Sequence, residues 1–244
     1  MRIVAVIPAR YQSSRFPGKP LADICGKPMV WWVYQEALKT QKYDDVIIAT
    51  ESQLIVEECT KLNMHVMLTS DAHPTGTDRV AEVAQKVDAD LYVVIMGDEP
   101  LITADDELKL INAIESSPEA DAIMLTEKFE NPVDVINSTT IKLAITEQNY
   151  LIFMSRAAIP YPKEELGYEM YKNVGCYAFR KETLDFYLRT KPGAIERAEG
   201  IELLRLIENH KKILTVLIES ESMAVDTQKD LERIRKYMEK NRYR

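Results

Sequence analysis

The sequence lacks both of the common phosphate-binding fingerprints. It contains no G-x-x-x-x-G-K-[ST] motif, and no G-x-G-x-x-G motif occurs anywhere among its 244 residues. In those motifs, glycines let the backbone approach phosphate groups closely at the start of a helix. Their absence argues against a P-loop ATPase and against an oxidoreductase that binds a dinucleotide.

Cysteine and histidine are also scarce. The three cysteines, Cys25, Cys59 and Cys176, form no C-x-x-C pair, and the three histidines show no metal-ligand spacing. A zinc site and a disulfide scaffold are therefore not expected. This use of cysteine fits a reducing compartment, so we expect a cytoplasmic protein.

No run of apolar residues is long enough to cross a membrane, and we expect no secretory signal peptide. The net charge of −8 argues against a general nucleic-acid binder, because such a protein presents a basic surface. Hydrophobic residues make up 46% of the chain, enough for a sizeable core. The length predicts one large domain, or one domain with a small lobe.

A basic loop near the start of the chain stands out against this acidic background. Residues 3–7 form a short, β-branched apolar run that predicts a buried parallel strand. The loop that follows carries Arg10, Arg15 and Lys19. Because open α/β sheets bind ligands at the carboxyl ends of their strands, three cations there predict a site for a nucleoside triphosphate. A solvated basic loop without a ligand is the alternative.

Helix and strand patterns then alternate, which predicts an α/β fold with a doubly wound, mostly parallel sheet. Apolar residues at helical spacing predict helices over 28–40, 52–62, 78–88 and 104–116. Short apolar runs predict buried strands over 46–50, 65–68, 91–96 and 122–125.

The pattern changes after about residue 128. Strands are predicted over 141–146, 151–154 and 173–180 without a helix between the first two, which indicates an antiparallel lobe. We therefore predict a single domain, 1–244, with an inserted lobe over about 129–200 that binds the acceptor or forms a dimer. Helices are predicted over 181–189 and 199–209, and a strand over 213–218. Thr227-x-x-Asp230 is a capping box that predicts the start of a last helix.

Two carboxylates follow predicted strands. Asp98, in Gly97-Asp-Glu-Pro100, comes directly after the strand over 91–96, and Asp226 lies between the last strand and the last helix. Mg²⁺ binds a few carboxylates together with phosphate oxygens, so Asp98 could hold that ion. The alternatives are an ordinary strand-end turn for Asp98 and a helix N-terminus for Asp226.

Two further segments carry candidate binding residues. In Thr75-Gly-Thr-Asp-Arg79, Gly76 lets the backbone approach a ligand closely, although the segment could simply start a helix. In Phe153-Met-Ser-Arg156, the guanidinium of Arg156 could grip an acceptor carboxylate. A surface arginine beside a proline-rich turn is the alternative there.

The run R-x-x-S-S-R-x-P-G-K-P, followed by Gly26-Lys-Pro-Met29, closely resembles the signature loop of the CMP-Kdo synthetases (3-deoxy-manno-octulosonate cytidylyltransferases). Members of that family couple CTP to Kdo, an acidic eight-carbon keto sugar, and release pyrophosphate. The resemblance implies a Rossmann-like nucleotidyltransferase fold, Mg²⁺ as the cofactor and a homodimer. It also implies a role in making a surface polysaccharide, either lipopolysaccharide or capsule.

The resemblance also assigns roles residue by residue. It implies nucleotide binding by Pro8, Ala9, Arg10, Ser14, Arg15, Lys19, Thr75, Gly76, Asp78 and Arg79. It implies acceptor binding by Met96, Arg156, Tyr161, Asn173, Glu199, Glu202 and Leu203. The implied catalytic residues are Arg10, Arg15, Lys19 and Asp98, and the implied metal ligands are Asp98 and Asp226.

The chain departs from the family pattern on the acceptor side. Met96 and Leu203 stand where the family has glutamine, and Asn173 stands where it has histidine. Pockets that hydrogen-bond hydroxyl groups discriminate strongly between substrates. We therefore expect either weaker Kdo binding or another acceptor, such as a different sugar acid or a phosphonate. Two other hypotheses are a sugar nucleotidyltransferase that uses a different nucleotide and a non-catalytic nucleotide-binding module.

Overall fold

The computed structural model describes residues 1–13, 15–165 and 167–241, which fold into two compact units. The first unit comprises Met1–Leu108 and the chain from Ser220 onward, and the second comprises Lys109–Glu219. The predicted α/β class is confirmed. The predicted lobe, 129–200, lies within the second unit, and its role in acceptor binding or dimerisation stays a prediction.

The sheet of the first unit is parallel. Its strands are β1 (Ile3–Pro8), β4 (Asp45–Thr50), β5 (Val66–Leu68) and β6 (Leu91–Ile95). They lie in the order β6-β1-β4-β5, and every adjacent pair is parallel. Because all six residues of β1 are buried, this central strand reads as the continuous apolar run that parallel sheets favour. The carboxyl ends of these strands therefore share one edge.

Helices connect these strands, as parallel pairing requires. They are α1 (Met29–Lys39), α2 (Gln53–Lys61) and α3 (Gly76–Lys86), and a short hairpin of β2 (Asp23–Ile24) and β3 (Lys27–Pro28) precedes α1. A fourth helix, α4 (Ala104–Ser116), follows β6. α3 begins two residues before its predicted start, because Thr75 is its N-cap. No helix in the described ranges combines the length and apolar character that a membrane crossing requires.

The last helix, α8 (Gln228–Asn241), returns to the first unit and confirms the predicted capping box. The backbone N–H of Thr227 donates to Asp230 Oδ2 at 2.8 Å, and the backbone N–H of Asp230 donates to Thr227 Oγ1 at 3.3 Å. One face of the helix is buried in a hydrophobic cluster through Leu231, Ile234 and Met238. This packing fixes the segment that leads into α8.

The second unit is mainly antiparallel. Its strands are β7 (Ala122–Lys128), β8 (Lys142–Ile145), β9 (Leu151–Ser155), β10 (Tyr171–Arg180) and β11 (Ile213–Leu217). β10 pairs antiparallel with β7 and β8, and β8 pairs antiparallel with β9, which confirms the predicted antiparallel strands. β11 runs parallel to β7.

The predicted helix over 199–209 is confirmed only in its second half. The chain forms α5 (Lys181–Arg189) as expected, but two short helices follow it, α6 (Ala194–Glu199) and α7 (Leu204–Glu208). Gly200 ends α6 in the left-handed conformation, with φ of 63°. Glycine adopts that conformation without a steric penalty, so it terminates the helix although apolar residues continue at helical spacing.

Candidate active site

The basic loop follows β1 and folds back on itself. The backbone N–H of Gly18 donates to the carbonyl of Tyr11 at 2.8 Å. Gly18 has a φ of 71°, which only glycine adopts freely. Arg10 Nη1 donates to the carbonyl of Pro74 at 3.3 Å, which connects the loop to the segment before α3. The predicted residue Ser14 lies outside the described residues.

The cations of this loop contact both predicted metal carboxylates. Lys19 Nζ lies 2.5 Å from Asp98 Oδ2 and 3.6 Å from Asp226 Oδ1. Arg15 Nη2 lies 3.0 Å from the same oxygen of Asp226. Two carboxylates distant in sequence thus meet two cations of the basic loop.

Backbone contacts position the two carboxylates. Gly97 precedes Asp98, and a Cβ at Gly97 would lie 2.9 Å from the carbonyl oxygen of Pro8. Only glycine therefore lets the ends of β6 and β1 approach so closely. The backbone N–H of Val225 donates to the carbonyl of Asp98 at 2.9 Å, which joins the Asp98 and Asp226 segments directly. Asp226 directly precedes the capping box at Thr227, so it also lies at the start of a helix, as the alternative interpretation expected.

The residues present fit Mg²⁺. Two carboxylate oxygens converge on the single ammonium of Lys19, and hard oxygen donors of this kind suit Mg²⁺. Within the described ranges, no group of three or more histidine, cysteine, aspartate or glutamate side chains could hold a metal by itself. A site with two carboxylates matches the preference of Mg²⁺ for a few protein ligands completed by water and phosphate oxygens.

The Thr75–Asp78 segment forms the first turn of α3. Thr75 Oγ1 accepts a hydrogen bond from the backbone N–H of Asp78 at 3.1 Å, and its hydroxyl donates to Asp78 Oδ2 at 2.6 Å. A Cβ at Gly76 would lie 3.5 Å from Met96 Cε and 3.6 Å from Pro8 Cγ. Met96, expected on the acceptor side, thus packs against the predicted nucleoside segment.

Arg79 lies beneath the surface and is 1% exposed. Its Nη1 donates to the hydroxyl of Thr69 and to the carbonyl of Ser70, and its Nη2 lies 3.0 Å from Glu51 Oε2. Burial lowers the pKa of Arg79, Glu51 opposes that shift, and the nearby charge of Arg10 adds to it. The structure therefore presents Arg79 as a buried ion-pair partner.

Glu51 is a site residue that the sequence patterns did not reveal. Its Oε1 accepts a hydrogen bond from the backbone N–H of Tyr11 in the basic loop at 2.9 Å. The sequence pattern could have indicated Glu51, because Glu51 directly follows β4, and Asp98 likewise comes shortly after the end of β6. An acidic residue at the carboxyl end of a buried parallel strand lies at the ligand edge of the sheet.

Arg156, in the second unit, is held by main-chain carbonyls. Its Nε donates to the carbonyl of Glu199 at 2.8 Å, and its Nη1 donates to the carbonyl of Ser138 at 3.1 Å. The Glu199 carboxylate accepts from the hydroxyl of Ser155 at 2.6 Å and from the backbone N–H of Arg156 at 2.9 Å. These two hydrogen bonds, the one from Ser155 above all, lower the pKa of Glu199.

A buried lysine supports the same region. Lys142 is fully buried, and its Nζ donates to the carbonyls of Asn137, Thr140 and Arg156 at 2.7, 2.9 and 2.5 Å. Burial lowers the pKa of Lys142. Lys142 therefore joins the chain around residues 137–140 to the end of β9.

The other predicted acceptor residues differ in exposure. Asn173 Nδ2 donates to the hydroxyl of Tyr177 at 3.0 Å, next to an irregularity in the pairing of β10 with β7. Leu203 is buried, Glu202 is half-buried and Tyr161 is exposed. The structure thus brings Arg156 and Glu199 together and leaves Tyr161 at the surface. Ala9 is buried beside β4, where its N–H donates to Ala49.

Comparison with known proteins identifies the family. The family model described as cytidylyltransferase matches residues 4–213. A 3-deoxy-manno-octulosonate cytidylyltransferase from Photobacterium profundum is 38% identical over 96% of this chain and 98% of that protein. The chain belongs to the cytidylyltransferases of the CMP-Kdo synthetase family. The expected family is confirmed.

Further relatives agree with this CMP-Kdo synthetase family assignment. A 3-deoxy-manno-octulosonate cytidylyltransferase from Christiangramia forsetii is 35% identical over 97% of both chains. A solved CMP:2-keto-3-deoxy-manno-octonic acid synthetase in complex with CTP has a TM-score of 0.93 and 34% identity, over 98% of this chain and 99% of that one. A putative glucose-1-phosphate thymidylyltransferase from Bacillus anthracis, at 15% identity over 98% of this chain and 96% of that one, has a TM-score of 0.73 and shares the fold.

Proposed function

We propose that this chain transfers CMP from CTP to the hydroxyl of an acidic keto sugar, Kdo or a Kdo-like acid, and releases pyrophosphate. The observation that carries the proposal is the convergence of Lys19 and Arg15 of the basic loop on Asp98 and Asp226. Cations for a triphosphate and carboxylates for a divalent metal meet at one place. The relatives named 3-deoxy-manno-octulosonate cytidylyltransferase support both the nucleotide and the acceptor.

In the proposed reaction, the basic loop binds the triphosphate. Arg10, Arg15 and Lys19 offset the negative charge that grows on the departing pyrophosphate. The acceptor oxygen forms a bond to the α-phosphorus while the bond from that phosphorus to the bridging oxygen breaks. The acceptor hydroxyl releases its proton to solvent, since no side chain stands out as a general base.

Asp98 and Asp226 would hold Mg²⁺ in this enzyme. When bound, the ion shields the repulsion between phosphate oxygens and the incoming acceptor oxygen. With both carboxylates on the ion, Lys19 and Arg15 would be available to bind phosphate oxygens. The small size of Gly76 supports a role for the Thr75–Asp78 segment in contacting the nucleoside.

On the acceptor side, Arg156 would bind the sugar carboxylate through those of its N–H groups that do not donate to main-chain carbonyls. Guanidinium carries five N–H donors, so contacts with the three carbonyls of Glu199, Ser138 and Gly200 do not exhaust it. Glu199 supports this role, because it accepts the backbone N–H of Arg156 and so fixes the residue.

A different acidic acceptor is the second candidate. Met96 and Leu203 offer no hydrogen bond to a sugar hydroxyl, and Asn173 already bonds Tyr177. This favours an acceptor with fewer hydroxyl contacts at these positions, for example another sugar acid or a phosphonate.

We also propose, from the family, that the enzyme is a cytoplasmic homodimer that supplies lipopolysaccharide or capsule synthesis. The free cysteines support a reducing compartment, since Cys25, Cys59 and Cys176 form no disulfide.

The test is pyrophosphate release from CTP and Mg²⁺ with Kdo, other sugar acids and phosphonates as acceptors. Turnover with Kdo supports the main proposal, and turnover with another acid alone supports the second candidate. A chain that releases no pyrophosphate with any of them contradicts both. Substituting ATP, GTP and UTP for CTP tests the choice of nucleotide in the same assay.

A further inference from the structure

Two functional segments of the first unit meet at one buried ion pair. Glu51 follows β4, and its Oε1 accepts a hydrogen bond from the backbone N–H of Tyr11 at 2.9 Å. Its other oxygen, Oε2, lies 3.0 Å from Nη2 of Arg79 in the first turn of α3. One carboxylate therefore contacts both the basic loop and the helix that begins with the Thr75–Asp78 segment.

Arg79 extends this connection to the chain before α3. Its Nη1 donates to the hydroxyl of Thr69 and to the carbonyl of Ser70. At 1% exposure, the guanidinium has no open face for a ligand. A buried cation of this kind needs a counter-charge, since removing one partner of a buried pair leaves the other uncompensated. Glu51 supplies that charge.

A second link between the two segments is weaker. Arg10 Nη1 donates to the carbonyl of Pro74 at 3.3 Å in an exposed position. Water competes for such a contact, so it constrains the loop less than a buried ion pair does. Of these two polar links between the basic loop and α3, the ion pair of Glu51 with Arg79 is the more buried and the stronger constraint.

We propose that Glu51 is a positioning residue that holds the basic loop and the Thr75–Asp78 segment at the separation that one nucleotide requires. The inference rests on the proposed function, in which the loop binds the triphosphate and the segment contacts the nucleoside. In this proposal, Glu51 and Arg79 act through the two segments that they join. CTP must engage both segments at once, whereas inorganic triphosphate needs only the loop. CMP binds mainly through the Thr75–Asp78 segment.

The decisive variant is Glu51→Asp. Aspartate keeps the charge that Arg79 needs, but it is one methylene shorter and cannot reach Tyr11 and Arg79 together. We expect the dissociation constant for CTP with Mg²⁺, measured by calorimetry, to rise about 10-fold or more, a typical coupling between two sites. The constants for inorganic triphosphate and for CMP should each rise less than about threefold, because each fragment engages one segment.

Two further variants complete the experiment. Glu51→Gln removes the charge as well and should weaken CTP binding further. If this variant does not fold, the result for Glu51→Asp alone tests the inference. Glu57→Gln, at an exposed position of α2, is the matched control and should bind all three ligands as the wild type does.

Two results would overturn the inference. One is a Glu51→Asp variant that binds CTP as tightly as the wild type. The other is a proportional loss for CTP, triphosphate and CMP together with a lower melting temperature, which is the pattern of a destabilised fold. A wild-type chain that binds no CTP contradicts the proposed function instead, so the two failures are distinguishable.

Discussion

The ammonium of Lys19 lies 2.5 Å from the carboxylate of Asp98, at the end of the strand next to the one that leads into the basic loop. The same ammonium lies 3.6 Å from Asp226, which Arg15 also contacts. The groups that the proposed reaction assigns to phosphate and to metal thus neutralise each other. We therefore expect the binding of the nucleotide and the binding of the metal to be coupled through the same four side chains.

Replacing Asp226 with asparagine tests this coupling. Arg15 and Lys19 lose a competing partner, so CTP should bind several-fold more tightly in the presence of EDTA, as calorimetry would report. With Mg²⁺, kcat should fall about 100-fold or more, the typical cost of removing one electrostatic group from an active site. Glu232→Gln, at an exposed position of α8, is the control because it removes the same single negative charge. Unchanged affinity for metal-free CTP would contradict the coupling.

Replacing Gly97 with alanine tests the close approach of β6 to β1. The added Cβ would lie 2.9 Å from the carbonyl oxygen of Pro8, so the two strand ends must move apart. We expect a loss of about 1–3 kcal/mol of stability and a lower kcat/KM, because Asp98 is the next residue. Thermal unfolding and pyrophosphate release measure the two effects. Gly167→Ala is the control, since nothing lies within 4 Å of a Cβ there, and equal behaviour of the two variants would refute the prediction.

Glu107 makes stability depend on pH. It is fully buried and accepts a hydrogen bond from the hydroxyl of Tyr43 at 2.7 Å. Burial raises the pKa of Glu107 from 4.5 to about 8. Because the folded state favours the protonated form, the stability contributed by this group is full below pH 4.5 and is lost as the pH rises through about 8.

Glu107→Gln should therefore raise the melting temperature at pH 8.5 by a few degrees, roughly what 1–2 kcal/mol gives in a chain of this size. At pH 5 the gain should be much smaller. Differential scanning calorimetry across this pH range measures both values. Glu115→Gln, exposed on the same helix, should show no such trend, and an equal gain for Glu107→Gln at both pH values would disprove the assignment.

Lys142→Met removes the buried ammonium beneath Arg156. Methionine replaces the apolar stem of the side chain, but the carbonyls of Asn137, Thr140 and Arg156 lose their hydrogen bonds to the ammonium. Hydrogen bonds to a charged group contribute about 1.5–3 kcal/mol each, so the melting temperature should drop by several degrees. The KM for the acceptor should rise more than the KM for CTP. Lys163→Met, at an exposed site, provides the comparison, and a melting temperature equal to that of the wild type would exclude this role.

Local patterns in the sequence predicted the parts of the fold that depend on neighbouring residues. The strand over 3–7, the helix over 104–116 and the capping box at Thr227 are each recorded in a short stretch, and the structure has all three. The positions of Asp98 and Asp226 followed from their place after predicted strands together with the family resemblance.

Features that depend on contacts between residues distant in sequence could not be predicted from local patterns. Glu51 and Arg79 are joined only once α3 packs beside β4, so their ion pair could not be predicted from the sequence. The nucleotide-binding role that the resemblance implies for Arg79 stays a prediction. The burial of Lys142 depends on three carbonyls supplied by the surrounding chain. The end of α6 at Gly200 was not predicted, because the spacing of apolar residues does not indicate the left-handed backbone conformation of a single glycine.

Asp226 belongs to the last part of the chain, and Arg15, its partner, belongs to the first. During synthesis the basic loop leaves the ribosome long before the carboxylate that completes the site. The capping box and the buried face of α8 must form before Asp226 is held in place. A nascent chain therefore carries the basic loop without its full set of carboxylates, and we expect activity only after α8 has packed into place.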